Sequence, residues 1–483
     1  MDLNARLSRA LRGVRRWRGL SVDDAIAVAE DLSDGDWRRI SAEIDAVVER
    51  RGGPVAARRR AGTIALTYET LSQEGRRRFF TNLALEYGHD DQLVDDAIDA
   101  VIGASSPEER RRAEVDLRDR LRPRSELLLR RLASLDDGLP LLVAMRADLL
   151  PHRRSTPELA TLDSDLRAIL EGLFDVGLLH LQRLTWDTPA SFLEKLIQYE
   201  AVHAIESWDD LKRRLGVERR CYAFVHPGMP DDPLIFVEVA LTKNIARQLE
   251  PLLGADQAEP DEQAGGGRAA AEKAADRVVD EDSLDTAIFY SISNCHEGLA
   301  GVSLGDFLIK SVVEELSAEL PKLKTFATLS PIPGFHRWLE ELVAAGDERL
   351  GECHATPPFE TVEELRAVLS EVVQGEPRRE SNPTLARLKP VLMRLAAIYL
   401  TETKRGDRAA DPVAHFHLSN GARVEHLNWM GNPSAVGWER GLSMMVNYRY
   451  DLKTIEANHD AYTNSSQIAA SDELRKLTEG PKA

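Results

Sequence analysis

The pattern of apolar and polar positions divides the chain into two parts, one with helical periodicity and one with short strand-like runs. Up to about residue 185, apolar residues recur at helical spacing with charged residues between them, as in EVDLRDRLRPRSELLLRRLASL. This periodicity and the many strong helix formers predict one helix after another. After about Trp186, short runs of β-branched and aromatic residues alternate with turn residues. We therefore predict an all-α helical bundle over residues 1–185 and a second domain over residues 186–483.

The strand-like runs of the second part predict a mixed sheet. CYAFVHP (Cys221–Pro227) and PLIFVEVALT (Pro233–Thr242) have the spacing of an antiparallel hairpin with a longer loop. Further on, LDTAIFYSIS (Leu284–Ser293) and KTFATLS (Lys324–Ser330) flank the amphipathic run SLGDFLIKSVVEELSAEL (Ser303–Leu320). A strand–helix–strand crossover of this kind places its two strands parallel. The second domain is therefore predicted to be α/β.

A third strand-like region carries several histidines. VAHFHLSNGARVEHLNWM alternates around Asn420 and Gly421, which predicts a β-hairpin with a two-residue turn. In that hairpin His415 and His417 share one face, and His426 lies opposite His415. Three histidines on one face would form a candidate zinc site. The alternative is that one of them acts as a general acid or base near neutral pH.

Composition and charge exclude several classes of protein. The net charge of -18 argues against nucleic-acid binding, which needs a basic face. The chain contains no apolar run long enough to span a membrane. Its Arg-rich beginning resembles a mitochondrial transit peptide, but we favour a basic first helix as the explanation. Three scattered cysteines fit a reducing compartment, and we predict a cytoplasmic location.

One segment inside the second domain differs from its surroundings. Residues from Gly254 to about Asp280 are rich in glycine, alanine and acidic residues, with almost no large apolar side chain. Such a segment buries too little surface to offset the entropy lost on ordering it. We predict a flexible surface insertion over about residues 254–280.

A glycine-containing turn follows the first strand of the predicted crossover. Gly298, Gly301 and Gly305 would let backbone N–H groups approach an anion at the start of the next helix. Their spacing matches neither a Rossmann fingerprint nor a nucleotide-triphosphate loop. The turn and Ser330 follow the carboxyl ends of adjacent parallel strands, which predicts that both line one crevice. The alternatives are a purely structural turn and a serine that merely ends a strand.

Long segments of the chain resemble the malonyl-CoA decarboxylase family. They are CYAFVHPGMPDDPLIFVEVALT, FYSISNCHEGLAGVSLGDFLIKSVVEEL, TFATLSPIPGF, AHFHLSNG and NWMGNPSAVGWERGLSMMVNYRYDL, in the family's order over about residues 180–455. The layout of the first part is also consistent with the family. This resemblance implies an α+β multidomain protein with a helical N-terminal domain and an acetyltransferase-like (GNAT) catalytic domain. It also implies that the CoA pyrophosphate is bound by Gly298, Leu299, Ala300, Gly301, Val302, Ser303 and Gly305.

The same resemblance implies roles for particular side chains. Ser330 and His417 match the family's catalytic serine and histidine, and Ser291 and Tyr450 match two further active-site residues. Ser303 stands where some members carry glutamate, which leaves any role of that glutamate in doubt here. Family members assemble as dimers or tetramers, so a homodimer or homotetramer is expected.

The reaction implied is decarboxylation of malonyl-CoA to acetyl-CoA and CO2, with a Ser330–His417 pair protonating the enolate. The thioester carbonyl takes up the electrons, so neither a metal nor an organic cofactor is expected. Three other functions remain open from the residues. They are an acyl-CoA N-acyltransferase on the same fold, a non-catalytic malonyl-CoA-binding protein, and a metal-dependent enzyme using the three histidines.

Overall fold

The computed structural model describes residues 20–253, 284–302, 308–354, 359–376 and 380–479. The Arg-rich beginning of the chain, the predicted insertion over about residues 254–280, and Ser303 and Gly305 lie outside the described residues. The chain divides into two compact units. The first consists of residues 1–180, 225–234 and 295–304, and the second of residues 181–224, 235–294 and 305–483.

The first unit is built from helices, which confirms the predicted helical N-terminal region. Its helices are α1 (Asp34–Val48), α2 (Gly53–Thr70), α3 (Gln73–Glu86), α4 (Asp91–Gly103), α5 (Pro107–Arg120), α6 (Arg124–Ala133), α7 (Gly138–Leu149) and α8 (Pro157–Leu173). Helix α1 begins with a capping box, in which Ser33 and Asp36 satisfy each other's backbone N–H groups. Its apolar face is completed by Trp37, whose ring packs edge-on against Phe79 of α3 at 5.8 Å.

The described part of the second unit contains an eight-stranded mixed sheet with the order β1-β2-β3-β4-β5-β10-β6, in which β9 also pairs with β10. These strands are β1 (His180–Leu184), β2 (Arg219–Val225), β3 (Ile235–Thr242), β4 (Thr286–Asn294), β5 (Thr325–Thr328), β6 (Ser330–Pro331), β9 (Arg423–Asn428) and β10 (Met445–Tyr450). A separate ribbon is formed by β7 (Lys404–Arg405) and β8 (Arg408–Ala409).

Two of the predicted strand pairings are confirmed. Strands β2 and β3 form the antiparallel hairpin, with Cys221 opposite Glu238. Strands β4 and β5 run parallel, with Thr286 opposite Thr325. The described helix between them, over Leu308–Glu319, belongs to the predicted crossover. Two β-forming runs joined by a loop predicted the first pairing, and a helical run between two strands predicted the second.

Strands β4 and β5 separate part-way along the sheet. Their pairing ends at Phe289 and Thr328, although β4 continues to Asn294. Tyr290 is an extra residue in β4, because the register with β3 shifts between its neighbours. Beyond Thr328 the chain passes into β6, which pairs with β10 instead of β4. The sheet therefore opens into a wedge between the end of β4 and β6.

Further helices belong to the second unit. They are α9 (Ala190–Tyr199), α10 (Trp208–Arg214), α11 (Glu250–Leu253), α12 (Leu308–Glu319), α13 (Phe335–Ala345), α14 (Arg349–His354), α15 (Val362–Val373), α16 (Pro383–Thr401), α17 (Pro412–Ser419), α18 (Ala435–Gly441), α19 (Ile455–Ser465) and α20 (Asp472–Glu479). Among the described residues, no helix combines the length and the apolar character that a membrane crossing needs.

The predicted hairpin around Asn420 and Gly421 is wrong, because its first half is helix α17. Asp411 caps this helix by accepting hydrogen bonds from two backbone N–H groups, and Pro412 is its first residue. Asn420 ends it, and Gly421 follows with a φ of 78°, as is common after a helix. Only the second half of the predicted hairpin forms a strand, β9.

Replacing Gly421 with alanine should destabilise the second unit. A Cβ atom there would overlap the carbonyl oxygen of Ile455, and the left-handed φ adds a further cost. Gly406 is the matched control, because its φ is 64° but an added Cβ would meet nothing within 4 Å. We expect Gly406→Ala to lower the free energy of unfolding by about 1–2 kcal/mol. Gly421→Ala should cost about 1–3 kcal/mol more, and equal losses in urea unfolding would contradict this.

Candidate active site

A hydrogen-bonded chain joins Ser330, His417 and Tyr450. The hydroxyl oxygen of Ser330 lies 3.1 Å from His417 Nε2, and the hydroxyl of Tyr450 lies 2.7 Å from His417 Nδ1. Ser330 belongs to β6 and Tyr450 ends β10, while His417 lies in the last turn of α17. Two strands and one helix therefore hold both nitrogens of the imidazole against hydroxyl groups.

The chain continues to Thr328, two residues before Ser330. The Ser330 hydroxyl donates to Thr328 Oγ1 over 2.9 Å, and the backbone N–H of Tyr448 donates to the same oxygen over 3.1 Å. The ring of Tyr448 also stacks on the imidazole of His417, with centroids 4.5 Å apart. Thr328 fixes the hydroxyl of Ser330, and Tyr448 fixes the plane of the imidazole.

Burial sets the protonation state of these groups. His417 is 3% exposed, and desolvation lowers its pKa to about 3. Desolvation raises the pKa of Tyr450 well above its usual value. At neutral pH the imidazole is therefore neutral and the phenol keeps its proton. We assign that proton to the bond with Nδ1, so that Nε2 carries the N–H that faces Ser330.

Asp411 connects the helix of His417 to the segment that follows Ser330. Its carboxylate accepts hydrogen bonds from the N–H groups of Val413 and Ala414 at the start of α17. The same carboxylate accepts from the N–H of Gly334 over 3.2 Å. Burial raises the pKa of Asp411 to about 6. One buried carboxyl group is thus bonded both to the start of the helix that bears His417 and to Gly334, four residues after Ser330.

The structure places Ser291 apart from this chain. Its hydroxyl lies 2.8 and 2.9 Å from the two carboxylate oxygens of Glu200, and 3.4 Å from the hydroxyl of Ser293. Ser291 is paired with Glu238 of β3. Of the four side chains expected in the active site, Ser330 and Tyr450 are therefore both hydrogen-bonded to His417. The fourth, Ser291, is hydrogen-bonded to the carboxylate of Glu200 instead.

The glycine turn belongs to the first unit, and packing explains part of it. A Cβ atom on Gly298 would overlap the carbonyl oxygen of Val143 in α7. The guanidinium of Arg146 donates to the carbonyl oxygens of Gly298 and Ala300, over 2.8 and 2.7 Å. Gly301 is exposed, with a φ of 75°. Packing against α7 therefore accounts for the glycine at 298, while Ala300 and Gly301 remain accessible to a ligand.

The remaining turn residues differ in exposure. Leu299 and Val302 are buried apolar side chains, 6% and 8% exposed. Only their backbone groups would therefore be suited to contact a phosphate. Ser303 and Gly305, which were predicted to complete the CoA site, lie outside the described residues.

The three histidines of the candidate zinc site do not gather. His415 Nδ1 lies 2.9 Å from the Tyr462 hydroxyl, and His426 Nδ1 lies 3.0 Å from the carboxylate of Glu473. His417 is occupied by the two hydroxyls described above. Within the described ranges, no group of three or more histidine, cysteine or acidic side chains is arranged to hold a metal ion. The prediction of a zinc site was wrong because it depended on the predicted hairpin around Asn420 and Gly421.

A cavity of about 930 Å³ lies elsewhere in the second unit. Its lining includes four cations, which are Arg219, Lys243, Arg247 and Lys389. None of the residues predicted to be catalytic lines it. The cavity and the hydroxyl–imidazole chain are therefore separate features.

Comparison with known proteins identifies the family. The family model described as malonyl-CoA decarboxylase C-terminal domain matches residues 177–483, and the N-terminal domain model matches residues 87–174. The protein named malonyl-CoA decarboxylase, mitochondrial, from Anser anser anser is 34% identical over 97% of this chain and 93% of its own length. The chain belongs to the malonyl-CoA decarboxylase family.

Solved structures of malonyl-CoA decarboxylases agree with this assignment. The crystal structure from Rhodopseudomonas palustris is 38% identical and has a TM-score of 0.77, covering 91% of this chain and 98% of that one. The one from Agrobacterium vitis is 37% identical, also with a TM-score of 0.77, over 91% and 99% of the two chains. The similarity therefore extends over both the helical part and the sheet.

Sequence patterns alone did not identify several residues of this malonyl-CoA decarboxylase family member. Thr328 precedes Ser330 by two residues, and Tyr448 precedes Tyr450 by two. Alternation along a strand puts such pairs on one face, so this signal could have identified both. The sequence Asp411-Pro412 is typical of a helix start and could have corrected the hairpin. Glu200 carries no local signal.

The burial of His417 should make stability depend on pH. An unfolded histidine titrates near 6.5, whereas folding lowers the pKa of His417 to about 3. Between these values the unfolded chain binds a proton that the folded chain does not, so stability falls as pH falls. We expect His417→Asn to reduce the slope of unfolding free energy between pH 4 and about 6.5 by up to about 1.4 kcal/mol per pH unit. Identical slopes in urea unfolding would show that His417 is not buried in the neutral form.

Proposed function

We propose that this chain catalyses the decarboxylation of malonyl-CoA to acetyl-CoA and CO2. Membership of the malonyl-CoA decarboxylase family supports the reaction. The observation that carries the mechanism is the buried chain of hydrogen bonds through Tyr450, His417 and Ser330. A carboxy-lyase of this kind must hold the malonyl group, stabilise the enolate and deliver one proton to carbon.

The chemistry of the substrate explains why no metal or organic cofactor is required. When the bond between the carboxylate carbon and the methylene carbon breaks, its electron pair passes into the thioester and CO2 leaves. The product is an enolate with negative charge on the thioester oxygen. Protonation of its carbon then gives acetyl-CoA. The thioester therefore supplies the electron sink, and the protein supplies positioning and the proton.

We infer that Ser330 donates that proton. Its hydroxyl turns from Thr328 to the enolate carbon, which is a stronger base than an alkoxide. The N–H at Nε2 of His417 replaces the lost proton as the Tyr450 hydroxyl protonates Nδ1. A proton from water, which the net reaction consumes, then returns to the Tyr450 oxygen, so no phenolate remains in the buried site. Each transfer ends on a neutral imidazole, so no cation is left in the buried site. The low pKa of His417 is consistent with this relay, since burial disfavours imidazolium.

Burial also favours the first step. Ser330 is 6% exposed and His417 is 3% exposed, so little water reaches this part of the protein. A carboxylate that loses hydration is less stable relative to neutral CO2. The same dry surroundings strengthen hydrogen bonds to charge that develops on the thioester oxygen.

We further propose that the second domain predicted over residues 186–483 has the acetyltransferase-like fold, and that CoA binds at the glycine turn, which belongs to the first compact unit. Two parallel strands that separate into a wedge, followed directly by the turn, support this arrangement. The exposed residues Ala300 and Gly301 are the described part of the turn best placed to meet a pyrophosphate. Their backbone groups would approach it without a bulky side chain.

A homodimer or homotetramer is also proposed, and the helical hairpin of α4 and α5 supports it. Large apolar side chains of this hairpin are exposed, among them Ile102 at 75% and Val115 at 49%. None of the residues of α5, all of which the structure describes, is buried. Exposed apolar surface of this kind is typical of an interface. A cytoplasmic location stays a prediction, since relatives carry the word mitochondrial in their names.

Incubation with malonyl-CoA alone tests the reaction. We expect CO2 and acetyl-CoA in the presence of a chelator and without any amine. Ser330→Ala and His417→Asn should each lower kcat about 100-fold or more, with KM little changed, because a positioned proton donor is worth about 10²–10⁴-fold. His415→Asn is the matched control, because it lies on the same helix but contacts Tyr462.

Other outcomes would assign other functions. Consumption of malonyl-CoA only after an amine is added would favour an acyl-CoA N-acyltransferase. Tight binding without any turnover would favour a malonyl-CoA-binding protein. Near-normal kcat in Ser330→Ala or His417→Asn would remove that residue from the proton relay while leaving the reaction in place.

The oligomer has its own test. Light scattering after gel filtration should give two or four times the mass of one chain. Ile102→Glu should shift the distribution towards smaller species, because a charge cannot be buried in an apolar interface without a large cost. Leu452, 49% exposed in the second unit, provides the control variant Leu452→Glu. A single-chain mass for the unaltered protein would contradict the proposal.

A further inference from the structure

The carboxylate of Glu200 collects hydrogen-bond donors at the end of α9. Its two oxygens lie 2.8 and 2.9 Å from the hydroxyl of Ser291, and one lies 3.2 Å from that of Ser293. The backbone N–H groups of Val202 and His203 each donate to it over 2.8 Å. Glu200 is 8% exposed. An ionised carboxylate only accepts hydrogen bonds, so each of these groups directs its hydrogen towards Glu200.

This arrangement decides what Ser291 can offer to a ligand. A serine hydroxyl has one hydrogen, and that of Ser291 is held by Glu200. The oxygen keeps lone pairs, which the neighbouring negative charge makes more basic. While the contact lasts, Ser291 accepts hydrogen bonds and does not donate them. It is therefore unsuited to bind a carboxylate or a thioester oxygen, both of which are acceptors.

Ser291 lies beside the wedge in the sheet. The parallel register pairs Thr286 with Thr325 and Phe289 with Thr328. Continued for two residues, that register would bring Ser291 opposite Ser330. The pairing has ended by then, so the two serines border the gap from its two sides.

The two serines nevertheless belong to different faces of the sheet. Ser291 is paired with Glu238, which shares a face with Ala240, two residues away on β3. Ala240 packs in one apolar cluster with Leu329, so Ser330, the next residue, faces the other way. A ligand that lies in the gap, where no strand pairing closes the sheet, can contact both faces.

The chemistry of a malonyl thioester leaves few partners for an acceptor at this position. The ionised malonyl group and the thioester carry no hydrogen-bond donor. The nearest donor is the amide N–H of the cysteamine portion, two carbons from the sulfur. We propose that Ser291 accepts a hydrogen bond from this amide N–H, and that Glu200 is the positioning residue that holds Ser291 as an acceptor. The inference rests on the proposed function. It gives Ser291 the role of binding the cysteamine portion of the substrate instead of its malonyl group.

A substrate analogue separates this role from a structural one. In the analogue of malonyl-CoA, an ester replaces the amide nearest the sulfur, so that oxygen stands where the N–H was. The measured quantity is the ratio of kcat/KM for malonyl-CoA to that for the analogue. We expect about a tenfold ratio in the unaltered protein, because a hydrogen bond to a charge-polarised acceptor contributes about 1.4 kcal/mol or more.

Three variants then locate the acceptor. Ser291→Ala should bring the ratio close to one, and Glu200→Gln should lower it, because the charge that holds the hydrogen is lost. Ser293→Ala is the matched control and should keep the ratio of the unaltered protein, although it contacts the same carboxylate. Glu200 also closes the turn at Val202 and His203, so Glu200→Gln lowers stability. The ratio is internal to each variant and is unaffected by a smaller folded fraction.

The outcomes distinguish this inference from the proposed function. Equal kcat/KM values for the two substrates in the unaltered protein would overturn the inference. CO2 release from malonyl-CoA in the same experiment would still support the proposed decarboxylase activity. A tenfold ratio that survives Ser291→Ala would place the acceptor on another group. A ratio that also falls close to one in Ser293→Ala would show that the effect is not specific to Ser291. Absence of CO2 release from malonyl-CoA itself would overturn the proposed function.

Discussion

The neutral imidazole of His417, bonded through both nitrogens inside the protein, is the constraint on which the site depends. A buried ring nitrogen without a partner costs the full desolvation of that group, about 1–3 kcal/mol. Tyr450 and Ser330 satisfy the two nitrogens, and Tyr448 covers the ring. Helix α17, β6 and β10 must therefore keep their mutual positions closely, and Asp411 is bonded to both sides of this arrangement.

The passage from β5 to β6 creates a second demand, because backbone groups between these two strands lose their regular partners on β10. Asn447 meets part of it. Its amide group donates to the carbonyl oxygens of Thr328 and Ala246, over 2.7 and 2.9 Å, and its oxygen accepts from Asn428. The carbonyl oxygen of Thr328, whose hydroxyl accepts a hydrogen bond from Ser330, thus has a hydrogen-bond donor at the point where the sheet opens.

Donors and acceptors are distributed unequally around the wedge. On one side, a chain of hydroxyls and an imidazole can pass a proton towards Ser330. On the other, the carboxylate of Glu200 holds the hydrogen of Ser291 and leaves an acceptor. This division follows from the protonation states that burial and ionisation impose. It suits a ligand whose reacting carbon needs a proton and whose adjoining arm carries an N–H group.

The sequence by itself determined the features that depend on neighbours in the chain. Helical periodicity predicted the first unit. Runs of β-forming residues joined by a short loop predicted the β2–β3 hairpin, and the strand–helix–strand order predicted the parallel pairing of β4 with β5. The same local reasoning failed at Asn420 and Gly421, because alternation over a few residues also occurs in a short helix. There the cap formed by Asp411 and Pro412 was the more informative signal.

Tertiary structure alone decided the chemistry. Ser330 and His417 are 87 residues apart in the chain, and Glu200 and Ser291 are 91 apart. Their contacts depend on how distant elements pack, for which no local pattern exists. Burial, which lowers the pKa of His417, is likewise a property of the packed fold. The resemblance to a family named the residues, whereas only the fold determined which of them donate a hydrogen bond and which accept one.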